Sequence, residues 1–198
     1  MHIYFAGIGG AGLGPLAMIS AQLGHKVSGS DSQVPPYMES LNDAGITVSV
    51  GQNGEGMQDI HDKAPIDWFV YSSALPLNDP NHPELMLAEA LGIKSTKRDQ
   101  LLSFLIKDNQ MKLLAIAGTH GKSTTTAMAV WLMQELGQNF GYSVGAKLPF
   151  GPMGAIAGSG EWFIYECDEF DRNFLSFDPD IALISGLGYD HHEIFPTK

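Results

Sequence analysis

The chain has 198 residues, 44% of them hydrophobic, and a formal net charge of −11 at pH 7. That length can bury one or two cores, while the acidic balance excludes the clustered Lys and Arg that a nucleic-acid surface needs. A single cysteine, Cys167, excludes an internal disulfide and fits a reducing compartment; no run of about 18 apolar residues suggests a membrane span, and the N-terminal MHIYFAGIGG has no basic, cleavable leader. The reading is a soluble cytoplasmic protein without a nucleic-acid or membrane partner, in which any anion must be held locally by backbone N–H groups and a few cations.

Apolar runs alternate with glycine-bounded helical patterns, the signature of β-α-β units and a parallel sheet. HIYFAG predicts a first strand and GPLAMISAQLG a helix, with Pro15 in its first turn and Gly24 past its end. KVSGSD predicts a second strand, PPYMESLNDAG a helix, ITVSVG a strand, DWFVYSSA a buried strand and HPELMLAEALGI a glycine-closed helix. This first α/β domain, Rossmann-like, is expected to span 1–107, with the polar IKDNQM stretch, Ile106 to Met111, as the linker. KLLAIAG then opens a second, P-loop-type α/β domain, 108–198. A helix is expected from Lys122 to about Leu136, with Ala127, Val130, Trp131 and Met133 available for packing and Gly137 as its stop. EWFIYECDEFD and DIALISGLG predict two more strands whose downstream ends carry acids and histidines. A parallel sheet binds ligands at such ends. Only about 90 residues are given to this domain, whose sheet reads as unfinished, so the expectation is a fragment of a longer protein.

Gly7, Gly9 and Gly12 spell G-x-G-x-x-G directly after a strand and before a helix, so a diphosphate can meet backbone N–H groups and the positive helix end. Asp31, 19 residues past Gly12, ends the next strand near the spacing at which an acid reaches a ribose hydroxyl. The bland alternative is that these glycines only permit a tight turn and close helix packing. A ligand, if bound, is NAD or a nucleotide sugar, and the motif does not separate the two.

AGTHGKSTTTAM follows the strand LLAIA and lacks the early glycine of G-x-x-x-x-G-K-[ST], since Ile116 stands at that position. The phosphate chemistry is nevertheless whole. Gly118 and Gly121 allow backbone to approach phosphate, Lys122 is the cation, and Ser123 offers a hydroxyl to Mg²⁺. For His120 a local turn role and a ligand contact stand equal. ECDEFD reads either as a site segment or as a solvated acidic loop, and the Asp-His pair of DHH as ligand or turn cap. A structural zinc site has no second Cys or spaced His pair behind it.

AGTHGKSTTTAM resembles the ATP loop of the Mur ligases, the ATP-dependent amide-forming enzymes of peptidoglycan synthesis, whose loop reads G-T-x-G-K-[ST]. GIGGAG, SGSD, SSA, GTHGKSTTT, ECDEFD and DHHEIF occur in family order along almost the whole chain. The resemblance is to the branch acting on UDP-N-acetylmuramate, in which the Rossmann-like domain holds a UDP-sugar rather than NAD. It implies that Gly9, Gly10, Ala11, Gly12, Asp31, Ser72, Ser73 and Ala74 bind the UDP-sugar, and that Gly118, Thr119, His120, Gly121, Lys122, Ser123 and Thr124 bind ATP. By the same resemblance Lys122, Glu166 and His191 are catalytic, Ser123, Glu166 and His191 hold Mg²⁺, the reaction runs through an acyl phosphate, and a chain without the family's amine-binding C-terminal domain is expected to be inactive by itself. Asp168, Glu169 and Asp171 are candidate orienters. The amine implied is L-alanine, with the murein tripeptide as the alternative: SSALPLNDP leans to the first, AQLGHKVSGSD, PPYM and YDHHEIF to the second. A non-catalytic UDP-sugar-binding chain and an NAD-dependent dehydrogenase are the readings from other classes. Two departures stand out. Gly186 and Gly188 occupy positions where the family usually has Asn and Glu, and Cys167 one where alanine is usual.

Overall fold

The computed structural model describes residues 1–158, 160–168 and 170–188, and the chain divides into two compact units, Met1–Leu101 and Leu102–Lys198. The first runs β1 (His2–Ala6), α1 (Leu13–Gln22), β2 (Lys26–Asp31), α2 (Met38–Asp43), β3 (Thr47–Val50), α3 (Glu55–Lys63), β4 (Trp68–Tyr71), α4 (Ala74–Asn78), α5 (Pro83–Ala90) and β5 (Lys94–Lys97). Its strands form a parallel sheet in the order β3-β2-β1-β4-β5. All five residues of β1 are buried, as a central strand covered on both faces requires. Tyr4 and Phe69 stack across β1 and β4, their centroids 6.0 Å apart, within a core that includes Met57, Ile66, Ala88 and Ile93.

Three elements of this unit escaped the sequence pattern: α4, which at five residues is too short to show a helical period and starts at the Ala74 expected to end a strand, and α3 and β5. In α3 Met57 is the buried residue of nine, and edge strand β5, KSTK, has no buried residue at all. Each has too thin an apolar signal for a periodicity reading. β5 is nevertheless paired along its length with β4.

Helix α6 (Arg98–Asp108) carries the boundary between the units. The stretch expected as a linker begins inside this helix. Leu101, Leu102, Leu105 and Ile106 are all buried, so apolar packing extends the helix through the polar residues at its end. Gln110, at φ 54°, then turns the chain into β6 (Lys112–Ala117).

From β6 the second unit runs through α7 (Lys122–Glu135), β7 (Phe140–Ser143), β8 (Gly154–Ile156), β9 (Trp162–Glu166), a 3₁₀ turn (Phe170–Ser176) and β10 (Ile181–Ile184). The strand order is β10-β6-β9-β7-β8, parallel except for β8, which pairs antiparallel with β7. β7 and β8 were not anticipated, being short and glycine-bearing. Thr126 and Val130 of α7 are buried, but Trp131, expected in the packing, is 50% exposed. One residue on from Val130 is about 100° around the helix, which turns the indole away from the sheet.

Candidate functional site

In the first unit the chain steps from β1 out to β2 and β3, then returns to lay β4 on the other side of β1. The carboxyl ends of β1 and β4 therefore flank a topological switch point, where open α/β sheets form their ligand crevice. The glycine loop follows β1, and Ser72, Ser73 and Ala74 follow β4. The loop is suspended from the end of β2: the N–H groups of Gly7 and Ile8 donate to the Ser30 carbonyl at 2.8 and 2.9 Å, and Gly9 N–H donates to Asp31 Oδ2 at 2.7 Å. A Cβ on Gly9 would lie 2.6 Å from that carboxylate oxygen, so the glycine is required by this approach. Tyr37 donates its hydroxyl to the carbonyls of Ile8 and Gly10, each at 3.1 Å. Burial, and then the Asp31 charge, push this phenol up to about 12.

Arg98, which begins α6 after β5, was not singled out in the sequence. Its guanidinium occupies the space a Cβ on Gly12 would enter, and its Nε donates to Asp99 Oδ2 at 3.3 Å. Gly12 is also the N-cap of α1. The signal that could have found Arg98 is its place directly after a short strand, had polar KSTK been read as one.

In the second unit the loop between β6 and α7 meets the ends of β9, β7 and β10. Gly118 and Gly121 have φ of +130° and +83°, conformations that favour glycine. Lys122 Nζ donates to the Gly118 carbonyl at 2.7 Å, which folds the ammonium over the loop. Ser123 Oγ donates to Glu166 Oε1 at 2.6 Å, and the other carboxylate oxygen accepts Gly145 N–H at 2.7 Å. The end of β10 lies against the same loop: Thr119 N–H donates to the Gly186 carbonyl at 2.9 Å, Ser185 Oγ to the His120 carbonyl at 2.6 Å, and Gly188 N–H to Thr119 Oγ1 at 2.7 Å. The His120 side chain itself is on an exposed residue, and Thr124 lies in the first turn of α7 beside a groove.

The hydroxyl of Ser123 and the carboxylate of Glu166 form a hard-oxygen pair of the kind Mg²⁺ takes, its remaining positions being filled by water and phosphate oxygens. These donors fit the ion. Among the described residues no group of three or more His, Cys, Asp or Glu is gathered for a metal. His191 and Glu169 lie outside the described residues, as does the side chain of Asp171. Cys167 is buried after β9. The groove beside the loop, about 430 Å³, is lined by Ser123, Thr124, Met128, Trp131, Leu148 and Phe150, among others.

The family model described as "Mur ligase family, catalytic domain" matches residues 2–110. The chain belongs to the Mur ligase family. Among curated Mur ligases, UDP-N-acetylmuramate--L-alanine ligase of Frankia casuarinae is 38% identical over 197 residues, covering 100% of this chain and 38% of that enzyme. The enzyme of the same name from Streptomyces coelicolor is 38% identical over 189 residues, 96% of this chain and 39% of its own length. The chain thus spans well under half of these relatives. Among solved structures, a UDP-N-acetylmuramate:L-alanyl-gamma-D-glutamyl-meso-diaminopimelate ligase from Neisseria meningitides superposes with TM-score 0.83 at 28% identity, over 98% of this chain and 63% of that one. UDP-N-acetylmuramate-alanine ligase from Thermotoga maritima gives 0.82 at 25% identity, over 100% and 44%. Among the described residues, no helix of this Mur ligase chain is long and apolar enough to cross a membrane.

Proposed function

We propose that this chain carries the UDP-sugar and ATP sites of a cytoplasmic ligase that joins the carboxylate of UDP-N-acetylmuramate to L-alanine. The observation that carries the reading is the pairing of Ser123 with Glu166 beside Lys122 at the head of α7. It brings a cation and a hard-oxygen pair to one strand-end loop. Phosphoryl transfer relies on such positioning and charge. A carboxylate oxygen attacks the γ-phosphorus of ATP and the bond to ADP breaks, leaving an acyl phosphate. The amine nitrogen then attacks the acyl carbon, the phosphate leaves, and the nitrogen loses its proton.

In this scheme the N–H groups from Gly118 to Gly121, with Thr124 beyond them, cradle the phosphates, and Lys122 spreads the charge of the transferred group. Ser123 and Glu166, with His191 as the third ligand implied by the family, would hold Mg²⁺, which when bound neutralises phosphate charge. In the first unit the backbone of Gly9, Gly10, Ala11 and Gly12 together with Arg98 takes the diphosphate. Asp31 Oδ1 and the Ser72–Ala74 segment take the nucleoside. Titration calorimetry of this chain with UDP-N-acetylmuramate and with NAD tests the assignment: heat with the UDP-sugar and none with NAD supports it, and the reverse overturns it.

The murein tripeptide is the second reading for the amine, favoured by the superposition on the tripeptide ligase from Neisseria meningitides at TM-score 0.83. Phosphate release by a longer protein containing this chain, assayed with L-alanine and with the tripeptide in turn, separates the two.

A further inference from the structure

Glu84 is 1% exposed in the interior of the first unit, and no step of the proposed reaction uses it. A carboxylate is retained in such a place only when its oxygens are satisfied. Here each oxygen takes one hydroxyl: Tyr4 donates to Oε1 at 2.7 Å and Ser30 donates to Oε2 at 2.7 Å. Glu84 stands in the first turn of α5, where the helix dipole favours negative charge, and its N–H donates to His82 Nδ1 at 3.3 Å. Gln52 Nε2 adds a donor to Ser30 Oγ at 3.3 Å.

The two arms of this carboxylate lead to different places. Tyr4 lies in the middle of β1, stacked on Phe69, and anchors Glu84 to the core. Ser30 is the residue whose carbonyl accepts the N–H groups of Gly7 and Ile8, and its neighbour Asp31 accepts that of Gly9. Ser30 therefore ties the buried carboxylate, through its hydroxyl, to the glycine loop, through its carbonyl.

We propose that Glu84 is a positioning residue for the sugar-nucleotide site, which through the Ser30 hydroxyl fixes the strand end from which Gly7, Ile8 and Gly9 hang and so sets the course of the loop whose next N–H groups, at Ala11 and Gly12, face a diphosphate. This rests on the reading of the first unit as a UDP-sugar site. A carboxylate suits the task because it is acceptor-only and can receive both hydroxyls. Glutamine at the same place would offer one acceptor oxygen and an NH₂ group, so one hydroxyl would face a donor. Preorganised donors are what give a diphosphate site its affinity, since a loop that must be ordered on binding loses it.

The test compares Glu84→Gln, Ser30→Ala and Tyr4→Phe in this chain by titration with UDP-N-acetylmuramate, alongside thermal unfolding. All three variants remove a buried hydrogen bond and lower Tm, but only the first two touch the Ser30 arm. The expected result is a loss of about tenfold in affinity for Glu84→Gln and Ser30→Ala, no further loss in the double variant, and a change of less than about twofold for Tyr4→Phe. Tyr4→Phe weakening binding as much as Ser30→Ala would reduce Glu84 to a general core role, and wild-type affinity in folded Glu84→Gln and Ser30→Ala would overturn the proposal outright. Silence of the unsubstituted chain towards the UDP-sugar would be a failure of the ligand reading alone. Amide exchange at Gly7, Ile8 and Gly9 then decides the positioning role without ligand: faster exchange in Ser30→Ala than in Tyr4→Phe is expected, and equal exchange overturns it.

Discussion

Lys122 Nζ rests 2.7 Å from the Gly118 carbonyl, already above the loop that would receive phosphate. In a longer protein containing this chain, Lys122→Ala should lower phosphate release by about 3 kcal/mol of transition-state stabilisation, comparable to losing one preorganised donor, with UDP-sugar affinity unchanged; near-normal turnover would remove this loop from the ATP site. Glu84 makes a different residue-scale prediction. Burial raises its folded-state pKa above the ordinary 4.5, against the hydroxyls of Ser30 and Tyr4. The folded chain then holds this proton more tightly than the unfolded chain, so the contribution is fully present below pH 4.5 and declines as pH rises through the raised value. Thermal unfolding of Glu84→Gln against the unsubstituted chain, scanned from about pH 4 to about pH 8, should show that decline only where the carboxyl is present.

The end of β10 and the loop between β6 and α7 are packed so closely that their glycines differ in what they permit. Gly118 has φ +130°, and a Cβ there would lie 2.6 Å from Ser185 Oγ and 2.8 Å from the Gly186 carbonyl. Gly118→Ala should therefore cost about 1–3 kcal/mol. Among the described residues a Cβ on Gly186 meets nothing within 4 Å, so Gly186→Ala should stay within about 0.5 kcal/mol of the unsubstituted chain. Chemical denaturation of both variants checks the pair, and equal losses would refute the packing argument. The same geometry bears on the family departure: among the described residues the position of the usual Asn is open to a side chain, and a Cβ on Gly188 would meet Thr119 at ordinary contact distance. At this scale the sequence was readable where an element is buried on both faces, as in β1, β4 and β9. It was opaque where the apolar stripe is one or two residues wide, as in α3 and β5. It also misled at Trp131, because a large apolar residue on a helix does not state which way the helix is turned.

For the whole chain, the residues of the two proposed sites lie on separate compact units, so their ligands should leave separate footprints. UDP-N-acetylmuramate at about a hundred times its Kd should add about 2.7 kcal/mol to the first unit, with slowed amide exchange at Gly7–Gly12 and Ser72–Ala74. ATP with Mg²⁺ should instead slow exchange from Gly118 to Thr124, and a footprint on the wrong unit would refute the assignment. Both loops are legible in the amino-acid sequence because their chemistry is local: a strand, glycines at fixed offsets, Lys122 and Ser123 are consecutive residues whose backbone geometry follows from their own types. What joins those loops to the rest is not local. Ser123 meets Glu166 across 43 positions of chain, Ser30 meets Glu84 across 54, Arg98 reaches Gly12, and Ser185 reaches His120 across 65. These meetings depend on strand order and register, which bring the carboxyl ends of distant strands side by side, and no spacing in the sequence encodes which ends become neighbours.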